Sequence, residues 1–300
     1  MSKTKAWIGA MRLRTLPLSL SGIILGSAVA HFNGNFNVTS FSLAIVTTVL
    51  FQILSNFAND LGDSSKGTDN DNRIGPTRAI QSGIISSKEM KIAVVLTSVL
   101  SLLSAIALIY NASQTLSIAT IWFYAALTLA CIAAAIMYTV GKSAYGYHGF
   151  GDLMVFIFFG GVSILGVYSL YAPVFLPENI LLVFFVGLMS VAVLNLNNMR
   201  DYFNDKASGK NTIVVQIGPN LAKFYHILLI LIALMSLALF IEKTDKPLLF
   251  FALTPTILLF IHLRKVLGVK ELKEFDPELK KVALLTFFIS LLTSIGLFYL

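Results

Sequence analysis

Nine long apolar runs constrain this chain more than any other feature. They lie at about 16–32, 40–59, 91–110, 116–139, 152–172, 179–199, 222–241, 248–264 and 282–300. A helix of roughly 20 mostly apolar residues crosses the ~30 Å hydrocarbon core of a bilayer. Lipid offers the backbone no hydrogen-bond partners, so such a segment must satisfy its own amides as a helix. A membrane barrel would show alternation, and these runs are unbroken. The reading is an all-α polytopic membrane protein with nine transmembrane helices. No long segment remains for a separate soluble unit, so residues 1–300 are expected to form one domain.

Composition agrees. Only 12% of the residues are charged, against roughly 25% in an ordinary soluble domain, which excludes a soluble globular enzyme. A net charge of +7 would suggest nucleic acid in a soluble protein. Here it reads as a topology signal and as contact with the lipid bilayer or an anionic substrate, with no nucleic acid as partner. A single cysteine, Cys131, rules out an intrachain disulfide and any Cys-based metal site. Lys3, Lys5, Arg12 and Arg14 precede the first run, but no small-residue cleavage site follows it, so it is expected to be a retained span.

Of the 22 basic residues, all but Lys243 and Lys246 fall at the N-terminus or in and beside the loops after even-numbered spans. The positive-inside rule then places the N-terminus in the cytoplasm and the C-terminus outside. The longest loops, about 61–90 and 201–221, lie on that cytoplasmic side. Long loops rich in ionisable residues usually carry function, so any chemistry is expected on the cytoplasmic face.

The acids gather in the same two loops. One cluster holds Asn56, Asn59, Asp60, Asp63, Asp69 and Asp71, the other Asn197, Asn198, Asp201 and Asp205. Asn56, Asp60 and Asp63 share one helical face, and so do Asn197, Asp201 and Asp205. Both sets stand at helix C-termini, where the macrodipole disfavours carboxylates. Paired carboxylates at two such ends call for a cation. All-oxygen ligands select a hard ion, with Mg²⁺ favoured where phosphate completes the shell. Lys66, Arg73, Arg78, Lys142, Arg200 and Lys210 are suited to phosphate oxygens. Together these are the parts of a diphosphate site. Ordinary solvated loop charge accounts for Asp69, Asp71 or Lys206 taken singly. It does not account for the repeated spacing of Asp60, Asp63, Asp201 and Asp205. A cation-coupled transporter is the rival from another class, yet it wants charge at mid-span, where no run carries an Asp or Glu.

Four stretches carry a wider pattern: Arg12-Leu-Arg14-Thr15-Leu16-Pro17; Asn59-Asp60-x-x-Asp63 through Gly75-Pro76-x-Arg78-x-x-Gln81-Ser82-Gly83; Tyr138 through Tyr145-Gly146-Tyr147 to Asp152; and Asn197-Asn198-x-Arg200-Asp201-x-x-x-Asp205 through Gly209-Lys210-x-Thr212. They resemble the UbiA superfamily of intramembrane aromatic prenyltransferases. The match is greatest to the branch that prenylates 1,4-dihydroxy-2-naphthoate in menaquinone synthesis, with the 4-hydroxybenzoate branch as the near alternative. The stretches span residues 12–212, and the last three spans add only compatible hydropathy. Two departures stand out. Leu13 occupies a position where Pro is common, and the first Asp pair is three apart, so a four-apart spacing would fall on Ser64. Either Asp63 or Asp69 could then complete the first metal site.

The resemblance implies nine helices around a central cavity, a cytoplasmic cap formed by the loops at about 61–90 and 201–221, a polyprenyl diphosphate donor, Mg²⁺ and a bacterial inner-membrane enzyme. It implies Asp60, Asp63, Asp201 and Asp205 as the catalytic metal-holding set, with Asn56 beside them. It further implies transfer to the naphthoate with loss of CO₂ and diphosphate, giving demethylmenaquinone. Arg12, Arg14, Tyr138, Tyr145 and Asn197 are candidates for holding the acceptor, although the arginines also read as positive-inside anchors and the tyrosines as an interfacial belt. Asp152 reads mainly as a helix cap, and His262 as a residue without a role.

Overall fold

The computed structural model describes residues 2–70, 73–114, 116–172 and 174–300. Every regular element among them is helical. In chain order they are α1 (Lys3–Met11), α2 (Leu16–Phe32), α3 (Val38–Ser65), α4 (Ser87–Ala112), α5 (Ile118–Met137) and α6 (Gly151–Val155). A π-helical stretch, Phe156–Gly166, joins α6 to α7 (Val167–Tyr171). Then come α8 (Asn179–Arg200), α9 (Tyr202–Ala207), α10 (Ile213–Lys243), α11 (Thr256–Gly268) and α12 (Phe275–Tyr299). Among the described residues, nine helical segments are long and apolar enough to span a bilayer. The chain is a multi-pass membrane protein.

Local sequence sets where these helices begin. The side chains of Asn37, Ser86, Ser117 and Thr212 each cap a first turn, and Ser86 forms a reciprocal capping box with Glu89. At the other ends the helices outrun their apolar runs. α3 was expected to reach about residue 59 and continues to Ser65, carrying Asp60 and Asp63 on its last turns. α10 begins at Ile213, ahead of the run at 222, and bends at Gly218 (φ 81°) and Pro219. α12 starts at Phe275 instead of 282. Hydropathy marks lipid depth, whereas a helix goes on wherever its backbone bonds can.

The core centres on α8. Leu182, Phe185, Val186, Met189, Leu196 and Met199 are fully buried between α10, α12 and the π-helical stretch. Close approach there depends on glycine: a Cβ on Gly160 would stand 2.7 Å from the Val183 carbonyl oxygen and 2.9 Å from the Gly187 Cα.

The last three spans share a buried polar chain. His226 of α10 and His262 of α11 meet Nε2 to Nε2 at 2.8 Å. His262 Nδ1 lies 2.7 Å from Oε2 of Glu278 in α12, and Lys281 donates to Oε1 at 2.6 Å. His262 therefore ties three helices together and is not idle. Its partners stand 36 residues before and 16 after it in the chain, which a linear reading does not connect.

Candidate active site

Two adjoining hollows occupy the bundle. A polar chamber of about 180 Å³ is lined by Arg12, Asp63, Arg73, Arg78, Asn197, Asp201, Asp205 and Lys210, with apolar residues toward one side. An apolar cavity of about 340 Å³ runs from Asn59 and Tyr145 to Ala44, Leu108 and Tyr124. Both share six lining residues: Gln52, Asn59, Tyr138, Val155, Phe159 and Leu194. These form a neck between a charged compartment and a greasy one.

The first motif rides on α3. Asp60 accepts a hydrogen bond from Arg12 Nη2 and lies 3.7 Å from Arg78 Nε. Asp63 accepts from the Tyr147 hydroxyl at 2.8 Å. Asp69 pairs with Arg73 at 3.2 Å and Arg78 at 3.8 Å. Burial pushes the Asp69 carboxyl up to about 6, the nearby arginines only partly offsetting it. Burial also brings Arg78 down to about 9, with Arg12 and Arg73 adding like-charge repulsion.

The second motif follows α8. Asp201 caps that helix and breaks it (φ −94°, ψ 11°). The uninterrupted helical face expected for Asn197, Asp201 and Asp205 is thus two helices meeting at Asp201. Arg200 donates to both Asp201 oxygens, at 2.9 and 2.7 Å, and also to Asn197 at 2.8 Å and Asp276 at 2.5 Å. Burial opposes ionisation of Asp201, but these bonds and the Arg200 charge outweigh it and hold its carboxyl below the usual range. Burial pushes Asp205 up to about 7, and its Oδ2 has no hydrogen-bond partner among the described residues.

Lys210 joins the two motifs. Its ammonium stands 3.9 Å from Asp63 and 4.0 Å from Asp205. Burial disfavours its charge, yet the two carboxylates prevail and push it above the ordinary lysine value. The set suits a hard divalent ion by donor chemistry: carboxylate oxygens facing one small chamber, one of them buried and unpaired. Among the described residues no three His, Cys, Asp or Glu side chains converge to hold an ion alone. Basic side chains hold the carboxylates apart, and phosphate oxygens would have to complete the shell.

A model of the UbiA prenyltransferase family matches residues 19–297. The chain belongs to the UbiA prenyltransferase family. It is 45% identical over 240 residues to a 1,4-dihydroxy-2-naphthoate octaprenyltransferase of Escherichia coli, covering 80% of this chain and 77% of that one. It is 39% identical over 300 residues to the Haemophilus influenzae protein of the same name, covering 98% and 96%. Its fold matches a solved structure described as digeranylgeranylglyceryl phosphate synthase, with TM-score 0.63 and 15% identity over the full length of both chains.

Within this UbiA fold, the residues singled out in the sequence divide. Asp63, Asp201, Asp205, Arg12, Arg73, Arg78, Lys210, Tyr138 and Asn197 line the chamber, and Asp60 is bonded to Arg12 just behind it. Asn56 does not join them. It faces the apolar cavity and spends its amide on the Met11 carbonyl at 2.8 Å. Tyr145 also lines that cavity, its hydroxyl bonded to the Ala134 carbonyl. Arg14 and Lys142 are exposed, and Lys66 lies over the Tyr147 ring, 3.9 Å from its centroid. None of these three lines the chamber. Arg200 is buried behind it, its donors already engaged by Asp201, Asn197 and Asp276. Asp71 lies outside the described residues.

Sequence reasoning overlooked Asn59, Gln52, Thr68 and Asp276, and considered Tyr147 only as an acceptor contact or an interfacial tyrosine, not as the partner of Asp63. Asn59 and Tyr147 were visible inside quoted motifs, whereas nothing in the sequence marked Asp276.

Proposed function

We propose that this chain transfers a polyprenyl group from polyprenyl diphosphate to 1,4-dihydroxy-2-naphthoate, releasing CO₂ and diphosphate and giving demethylmenaquinol, the hydroquinone form of demethylmenaquinone. The observation that supports this reading most is the neck: six side chains shared by a chamber of carboxylates and bases and the apolar cavity beside it. A donor with a charged head and an isoprenoid tail matches both compartments at once. The curated relatives carry the naphthoate acceptor in their names. The proposed setting is a bacterial inner membrane, with residues 1–300 forming one domain, the N-terminus cytoplasmic and the chamber on that side.

Asp63, Asp201 and Asp205, which line the chamber, would hold Mg²⁺, with Asp60 joining them from behind Arg12; Asp63 rather than Asp69 completes the first set because it lines the chamber and Asp69 does not. When bound, Mg²⁺ neutralises the diphosphate and eases its departure. Lys210, Arg73 and Arg78 take the charge that builds on the leaving oxygens. The C1–oxygen bond of the donor then breaks at the neck, its electron pair leaving with the diphosphate. Phe159 and Tyr138 line both hollows there, and aromatic rings favour an allylic cation, while the apolar cavity keeps water from quenching it. Tyr138 is held in place by Gly146, where a Cβ would come within 2.9 Å of its ring. The naphthoate carbon bearing the carboxylate attacks C1. The bond to CO₂ then breaks, and its electron pair restores the aromatic ring. Arg12, which lines the chamber near the neck, is placed to hold the acceptor carboxylate.

Membranes containing the protein, given labelled polyprenyl diphosphate, Mg²⁺ and parallel aromatic acceptors, test the reading. The expected result is Mg²⁺-dependent transfer to dihydroxynaphthoate. Transfer only to 4-hydroxybenzoate would keep prenyl transfer and remove the acceptor assignment.

A further inference from the structure

Tyr147 belongs to neither aspartate motif and does not line the chamber, yet both motifs meet on it. It sits in the short turn Tyr145–Tyr147 between α5 and α6. Its hydroxyl donates to Asp63 Oδ1 at 2.8 Å and accepts from Thr68 Oγ1 at 2.6 Å. Its carbonyl oxygen accepts from the Asn211 amide at 3.0 Å, next to Lys210. The ammonium groups of Lys66 and Lys210 lie 3.9 and 5.5 Å from the centre of its ring. The two motif loops also bond each other beside it, Asn204 donating to the Thr68 carbonyl at 2.8 Å.

One side chain from a third segment thus touches the first motif through its hydroxyl and the second through its ring and backbone. A carboxylate with one oxygen engaged by a fixed donor has its rotamer set, and its other oxygen is turned to a defined direction. The ring face attracts Lys210 by a cation–π interaction, and Lys210 stands between Asp63 and Asp205. Packing alone does not require the hydroxyl. A phenylalanine would fill the same space and keep the same ring face.

We propose that Tyr147 is a positioning residue that sets Asp63 and Lys210 in register, so that the two motifs act as one diphosphate site. This rests on the diphosphate reading given above. Partners that orient metal-binding groups typically change metal affinity or activity by about 10–100-fold when removed.

The test uses the purified full chain in lipid nanodiscs. Binding of Mn²⁺ in the presence of inorganic pyrophosphate is followed by electron paramagnetic resonance, and the Michaelis constants for donor and acceptor are measured beside it. Tyr147→Phe is expected to weaken Mn²⁺–pyrophosphate binding about tenfold and to raise the donor KM, with the acceptor KM and the melting temperature unchanged. Thr68→Val is expected to move the same two quantities in the same direction by less. Parent-like binding and donor KM in Tyr147→Phe would overturn the proposal. So would a parallel fall in both Michaelis affinities together with thermal stability, which marks a structural role. If the parent chain fails to bind Mn²⁺ with pyrophosphate, the diphosphate reading falls and takes this one with it. If it binds them but prenylates a different acceptor, only the acceptor assignment falls and Tyr147 keeps its role.

Discussion

Asp60 and Asp63 draw their partners from far along the chain, whereas Asp201 is held by its own neighbour. Arg12 reaches Asp60 across 48 residues, and Tyr147 reaches Asp63 across 84. Arg200 precedes Asp201 directly and is itself fixed by Asn197 and Asp276. Two motifs that look like repeats in sequence are therefore built on different physical plans. The first is neutralised by tertiary contacts and depends on several loops arriving together. The second carries its main counter-charge beside it and is completed by Asp276 at the start of α12 and by Arg73, 3.8 Å from Asp201. The first should therefore respond to remote substitutions, and the second mainly to changes within itself.

The largest expected effect is shared by both. Asp60→Asn and Asp201→Asn should each abolish labelled prenyl transfer while the protein still accumulates in membranes, as judged by immunoblot. Near-normal activity in either would remove that aspartate from the metal set.

The next step separates the motifs. Arg200→Ala leaves Asp201 buried with its main counter-charge gone, a loss of about 3–5 kcal/mol for a broken buried pair. The expected outcome is poor accumulation and early thermal unfolding in detergent. Arg12→Ala removes a remote partner, and Arg78 remains 3.7 Å from Asp60. It should fold and lose turnover instead. If the two variants behave alike, the contrast between the motifs fails.

A pH experiment sharpens it further. Burial raises Asp205 to about 7 from an ordinary value of 3.8. The folded chain thus binds that proton more tightly than the unfolded chain, and stability tied to it is lost as pH rises through about 7. Asp205→Asn should therefore melt higher than the parent at pH 8 without added metal, and the gap should narrow as pH falls below about 7 and close only toward the ordinary carboxyl value of 3.8. The smallest effect is expected at Lys142. That residue is exposed, so Lys142→Ala should leave both Michaelis constants within about twofold of the parent, the scale of a substitution away from any buried partner.

Much of this was legible before any coordinates. Nine spans follow from hydropathy because lipid enforces a helix wherever an apolar run is long enough. The aspartates are legible because a helical repeat of acids at a membrane edge has few uses. What could not be read depends on contacts between segments. Asn56 shares a helical face with Asp60, yet it lines the apolar cavity and not the charged chamber, its amide donating to the Met11 carbonyl just before the bend at Arg12 (φ 49°). Lys142 matches a basic role by type, but its loop turns outward. The π-helical stretch at Phe156–Gly166 leaves no mark in the apolar pattern, although it supplies Phe159 to the neck.

The neck also fixes where length is measured. Six side chains separate a compartment that recognises charge from one that accepts hydrocarbon. A lipid entering both is registered from its head, as a ruler is read from its zero. Lengthening the tail adds carbon at the far end and leaves the first bond at the same depth. On the proposed prenyl-transfer reading, one reaction centre would then serve a series of homologous lipids.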